Sequence, residues 1–84
     1  MIMAEAEINE VIDLLNELKK ESSIPKNVKD RIDAAIEILN DEEEFAIKIN
    51  RALHELEEVA DDVNLQPFTR TQIWNIVSLL EKSD

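Results

Sequence analysis

Few side chains in this sequence could do chemistry, and each group can be tested by its spacing. His54 is the only histidine, and imidazole is the side chain best suited to proton transfer near neutral pH. The segment His54-Glu55-Leu56-Glu57-Glu58 lacks the second histidine that a zinc-protease helix places one turn on. Position 51 is Arg, so the Glu-x-x-His element of di-iron bundles is missing too. Arg51 and Glu58 stand within reach at i−3 and i+4, so a solvated surface pair is the expected role of His54. Asp41-Glu42-Glu43-Glu44 sets four carboxylates in a row. A calcium loop spaces its oxygen ligands around a glycine turn. The run is therefore read as a turn and a helix start, with Asn40 or Asp41 as cap and the glutamates at the positive end of the dipole. Ser78 or Thr71 as a nucleophile needs an adjacent base and an oxyanion hole, and the one histidine falls on another helix. Paired carboxylates could hydrolyse glycosides only beside a substrate cleft, and a bundle this small has difficulty enclosing roughly 300 Å³ while keeping a core. The chain is not expected to be an enzyme, and no catalytic residue, metal or cofactor is assigned.

Composition narrows the classes further. The 84 residues hold no glycine and no cysteine, with a net charge of −11. Without glycine there is no phosphate-binding loop, because the backbone positions such loops use exclude a Cβ. Without cysteine there is no disulfide, thiolate nucleophile or zinc finger. Nucleic acid and anionic membrane are disfavoured by charge, which leaves basic proteins as the charged partners. The N-terminus MIMAEAEI carries no basic region or long apolar run, so it does not read as a signal peptide. Nowhere are there 18 consecutive apolar residues, and the expected location is the cytoplasm.

The elements that position these groups follow from apolar periodicity. Met3 to Glu21 reads as a helix with Ile8, Val11, Ile12, Leu15 and Leu18 on one face and Leu14 on its edge; Glu10, Asp13, Glu17 and Glu21 lie opposite. Ser22-Ser23-Ile24-Pro25 breaks it, and Ser23 is a candidate N-cap for a second helix to Asn40, striped by Val28, Ile32, Ala35, Ile36 and Leu39. A third helix from Glu42 to Asp61 carries Phe45, Ile49, Ala52, Leu53, Leu56, Val59 and Ala60 inward, with Ile47 pointing away. After Leu65-Gln66-Pro67 comes the last helix, entered through Thr69 as cap or Pro67 in its first turn. There Ile73, Ile76, Val77 and Leu80 share a face flanked on opposite sides by Trp74 and Leu79, and this wide arc makes the helix the expected keystone of the core.

The halves resemble each other at an offset of 41: Ile8, Ile12, Leu15 and Leu18 match Ile49, Leu53, Leu56 and Val59, and Ile32, Ala35, Ile36 and Leu39 match Ile73, Ile76, Val77 and Leu80. The prolines slip by one, Pro25 against Pro67, as though Gln66 were inserted. Two helix pairs of HEAT-like length are too few for a solenoid. They should instead close as one all-α domain over 1–84, an antiparallel bundle of four main helices built from two similar hairpins, 3–40 and 42–82.

The segments IPKNVKDRIDAA (24–35) and TRTQIWNIV (69–77) resemble the two signature segments of the archaeal "uncharacterised protein family" numbered 147 in the UPF series. The likeness runs from about Ile8 to Glu81, and Trp74 within Ile-Trp-Asn is its most specific part. Leu65-Gln66-Pro67 departs from the family pattern, in which the aliphatic residue directly precedes proline. The resemblance implies a small, soluble, all-α archaeal cytoplasmic protein, and it supplies no activity, cofactor or catalytic residue.

What remains is recognition. Trp74 is expected in the core, with an interface anchor as the competing role. Arg70, one turn earlier, is either the rim partner of such an anchor or a salt bridge to a nearby Glu. With Leu79 and the outward Ile47, these four residues are the candidate contact set of an interaction module that contacts protein through its last helix, itself included as a homodimer. The other function class is an acidic adaptor that mimics nucleic-acid charge and binds a basic protein.

Overall fold

The computed structural model describes residues 5–82, which form four α-helices. α1 is Glu5–Lys19, α2 Lys26–Asn40, α3 Phe45–Ala60 and α4 Pro67–Glu81. Among the described residues there is no strand, so the chain forms the all-α bundle that its periodicity predicts. Among the described residues each helix lies closest to its two neighbours in ring order. The expected inward stripes converge on one aliphatic cluster, in which Leu15, Ile32, Leu56 and Ile73 have no exposed surface. The predicted start of α1 at Met3 lies outside the described residues.

The offset of 41 is a structural repeat, residue for residue. Adding 41 to the last residue of α1 gives the last of α3, and adding it to both ends of α2 gives both ends of α4. The connections after α1 and α3 close with the same backbone bonds. Lys20 N–H donates to the Glu17 carbonyl, Glu21 to Leu18 and Ile24 to Glu21; their counterparts run from Asp61 to Glu58, Asp62 to Val59 and Leu65 to Asp62. These i→i−3 bonds satisfy helix-end carbonyls without the left-handed residue that a glycine cap supplies. No described residue has positive φ, so a glycine-free chain builds these turns without strain.

This overturns the apparent insertion of Gln66. Gln66 occupies the place of Pro25, with φ/ψ of −69°/147° against −61°/151°. The loops are equal in length, and proline alone has moved, from the N-cap in α2 to the first turn in α4. Neither entry uses a side-chain cap, so Ser23 and Thr69 are not caps. Thr69 is buried instead, in the place of Val28. α3 begins at Phe45 rather than Glu42. Asp41 ends α2, its N–H on the Ile38 carbonyl and its carboxylate accepting the Glu42 N–H at 2.7 Å. Glu43 pairs with Arg51.

The repeat makes a prediction about Gln66→Pro. Its backbone already has proline's φ and its N–H appears in no backbone bond outside the helices, so the substitution should be neutral or stabilise by about 0.4–1 kcal/mol. Urea unfolding checks this; a loss above about 1 kcal/mol would mean the two loops are not equivalent.

Candidate functional site

The four helix seams are unequal. α2 and α3 pack most closely among the described residues, and α1 against α4 least. The repeat relates these two seams to each other, since α1 corresponds to α3 and α4 to α2. Close approach at α2–α3 is allowed by Ala34 and Ala35, whereas α4 carries Asn75 and Ile76 at those positions, and helix separation follows side-chain size.

The looser seam is a groove of about 380 Å³ lined by Leu14, Glu17, Leu18 and Glu21 of α1 and its end, and by Gln72, Asn75, Ile76 and Leu79 of α4. Leu18 and Ile76 form its buried floor, each 4% exposed, while Leu14 on the lip is 39% exposed. Leu79 is half-buried against the core. The Oε1 of Gln72 is buried in the protein without a hydrogen-bond partner. Phe68, 69% exposed, continues the same stripe of α4 one turn before Gln72.

The tight seam shows what closes such a groove. There Arg31 reaches from α2 to Glu55 at 3.2 Å and to Glu58. Asn27 donates to Asp62 at 3.4 Å. Shifted by 41, Arg31 becomes Gln72, Glu55 becomes Leu14, Glu58 becomes Glu17, Asn27 becomes Phe68 and Asp62 becomes Glu21. Every polar bridge of one seam therefore has, in the other, an acid or leucine on the α1 side and an uncharged residue on the α4 side. A broader hollow of about 620 Å³ lies at the far end of the tight seam, but its Arg51 is held by Glu43 and its Glu55 by Arg31. Unmet chemistry, rather than volume, singles out the α1–α4 groove.

The four sequence-derived contact residues do not form one surface. Leu79 lines the groove. Trp74 lies about 140° around α4 from Leu79, on the side facing α3. It is 42% exposed, which corrects the expectation of core burial. Its counterpart is Asp33, which pairs with Lys19 across α1–α2, and the counterpart of Lys19 is Ala60. The indole therefore stands where the first hairpin has an ion pair. Arg70 is neither a rim contact nor a salt bridge: its Nε donates to the Ala60 carbonyl at 3.0 Å and its Nη2 to the Asp62 carbonyl at 2.6 Å. It satisfies the Ala60 carbonyl at the end of α3, adds a second donor to the Asp62 carbonyl that already accepts the Leu65 N–H, and opposes the negative end of that helix. Ile47 is 45% exposed on α3 and lines none of the grooves described above. His54 is solvated and pairs with Glu58 at 3.4 Å.

Sequence reasoning missed Phe68 and Gln72 and left Leu14 at an edge. All three are positions where the halves differ in polarity or charge, and that contrast, rather than periodicity, could have found them. Among the described residues no three His, Asp or Glu side chains converge on one point, and no helix is long and apolar enough to cross a membrane.

The model of an uncharacterised protein family, UPF0147, matches residues 1–83. The chain belongs to this family. It is 36% identical over 84 residues to the UPF0147 protein of Pyrococcus furiosus, covering 98% of this chain and 90% of that one. To the UPF0147 protein of Methanocaldococcus jannaschii it is 37% identical over 70 residues, 82% of this chain and 75% of the relative. The crystal structure of a UPF0147 protein from Thermoplasma acidophilum matches with a TM-score of 0.87 at 31% identity, covering 94% of each chain. That of the "unknown function protein MMP1188" matches with 0.91 at 28%, covering all of this chain and 97% of the other. The resemblance carried by the two signature segments thus identifies an archaeal UPF0147 protein. Membership brings the fold, and no activity comes with it.

Two measurements test this geometry. Arg70→Gln should lower stability by about 1–3 kcal/mol in urea unfolding, because it removes the side-chain donor of the Ala60 carbonyl and the charged donor of the Asp62 carbonyl. A change within about 0.5 kcal/mol would remove the capping role. Trp74 is the only tryptophan, so native fluorescence should be quenched by acrylamide; an inaccessible, blue-shifted indole would restore core burial.

Proposed function

We propose that this UPF0147 protein is a non-catalytic interaction module that holds a protein partner through its last helix, in the groove α4 forms with α1. The supporting observation is that groove: an apolar floor of Leu18 and Ile76 with half-open leucines on both lips. An amphipathic helix laid there would cover Leu14 and Leu79 and extend over Phe68, meeting the requirement for spaced apolar anchors at i, i+3 or i+4 and i+7. In this reading the acidic exterior and the contact surface are parts of one device.

A set of helical peptides sharing one leucine stripe, and differing only in arginine, glutamine or glutamate at the flanking positions, tests it. Titrated into isotopically labelled protein, at least one should give saturable amide shifts concentrated on residues 14–21 and 72–79. Leu79→Glu should abolish them while leaving helicity intact. Absence of any saturable shift, or shifts that leave residues 14–21 unmoved and centre on α3 around Ile47, would overturn the assignment.

A further inference from the structure

We infer that the partner's helix is basic: it brings an arginine or lysine to Glu17 and Glu21, supplying the α1–α4 seam with the cation that Arg31 supplies to its counterpart. This rests on the docking reading above and names the chemistry of the occupant. The repeat provides the template. In the α2–α3 seam one guanidinium joins two hollows, bridging Glu55 in the lining of one to Glu58 in the lining of the other. In the α1–α4 seam the acid equivalent to Glu58 is kept as Glu17, and the one equivalent to Asp62 is kept as Glu21, while the arginine has become Gln72. The groove lining therefore contains two acids and no base.

Those acids are not committed elsewhere. Glu17 has an i,i+3 contact with Lys20 at 3.1 Å, both side chains 72% exposed, and so solvated a pair gives little stability to forfeit. Glu21 makes no ion pair with a described residue. Gln72, at the position of Arg31, lines the groove and its Oε1 is buried without a partner, and a guanidinium, with five donors, can satisfy an amide oxygen and a carboxylate together. Charge also selects against a second copy of this chain, since 20 acidic residues against nine basic ones make each copy repel the other.

The peptide set described above discriminates the outcomes when affinities are read by fluorescence anisotropy. The arginine peptide should bind about three- to tenfold more tightly than the glutamine peptide at low salt. The glutamate peptide should bind weakest. The advantage should vanish in the Glu17→Gln/Glu21→Gln double variant and shrink as salt is raised. Gln72→Arg rebuilds the bridge within the chain, so it should raise the melting temperature and weaken binding of the arginine peptide. Equal binding of all three peptides in the groove would overturn the basic partner and leave the docking reading standing. If no peptide binds, the docking reading falls and takes this inference with it. A dimer in sedimentation equilibrium that Leu79→Glu returns to monomer would assign the groove to a second copy, and would overturn the basic partner too.

Discussion

Leu15, Ile32, Leu56 and Ile73, one from each helix, are sealed completely from solvent, and the rest of the molecule depends on that layer. With no disulfide available to an 84-residue chain, apolar burial has to carry the fold. The layer is itself the repeat: Leu15 and Leu56 are counterparts, as are Ile32 and Ile73. Truncation of any one to Ala removes a fully packed aliphatic group, a class of change that costs about 2–5 kcal/mol, comparable with the whole margin of a domain this small. This layer therefore cannot diverge far between the halves. Positions outside it can, and they do.

Periodicity reads the inward stripes well, because an aliphatic side chain recurring at helical spacing has one favourable place to go. It reads flanks badly. Trp74 and Leu79 border the same stripe at similar angles, yet one lies beside α3 and the other lies in the groove beside α1. Only the positions of the neighbouring helices distinguish them. Capping was misjudged for a related reason: Ser23, Thr69 and Asp41 have suitable side chains, but α2, α3 and α4 are entered through Pro25, Glu44 and Gln66 without a side-chain cap, a choice set by where the chain turns rather than by residue identity. The proline slip misled because proline satisfies two adjacent positions at a helix entry, the N-cap and the first turn. Arg70 was legible as a charge needing a partner. That its partners are carbonyls ten and eight residues back depends on how the connection folds over the end of α3.

A bundle with internal two-fold character offers every seam twice, and an identical repeat would close both copies equally well. Here one copy is closed by Ala34 and Ala35 on the helix, with Arg31 across the acids. The other has a larger pair of residues at the helix contact and an uncharged one at the bridge. Both changes act in the same direction: Asn75 and Ile76 keep α1 away, and Gln72 declines to hold it by charge. Opening the seam exposes leucine, which does not improve the isolated chain, and leaves Glu17 and Glu21 without a cation from across the seam. A merely drifting surface would be expected to lose the acids together with their cation. In this chain Leu14 replaces one acid of the bridge, but Glu17 and Glu21 stay while the cation is gone, and that combination is the one a partner carrying its own cation would use.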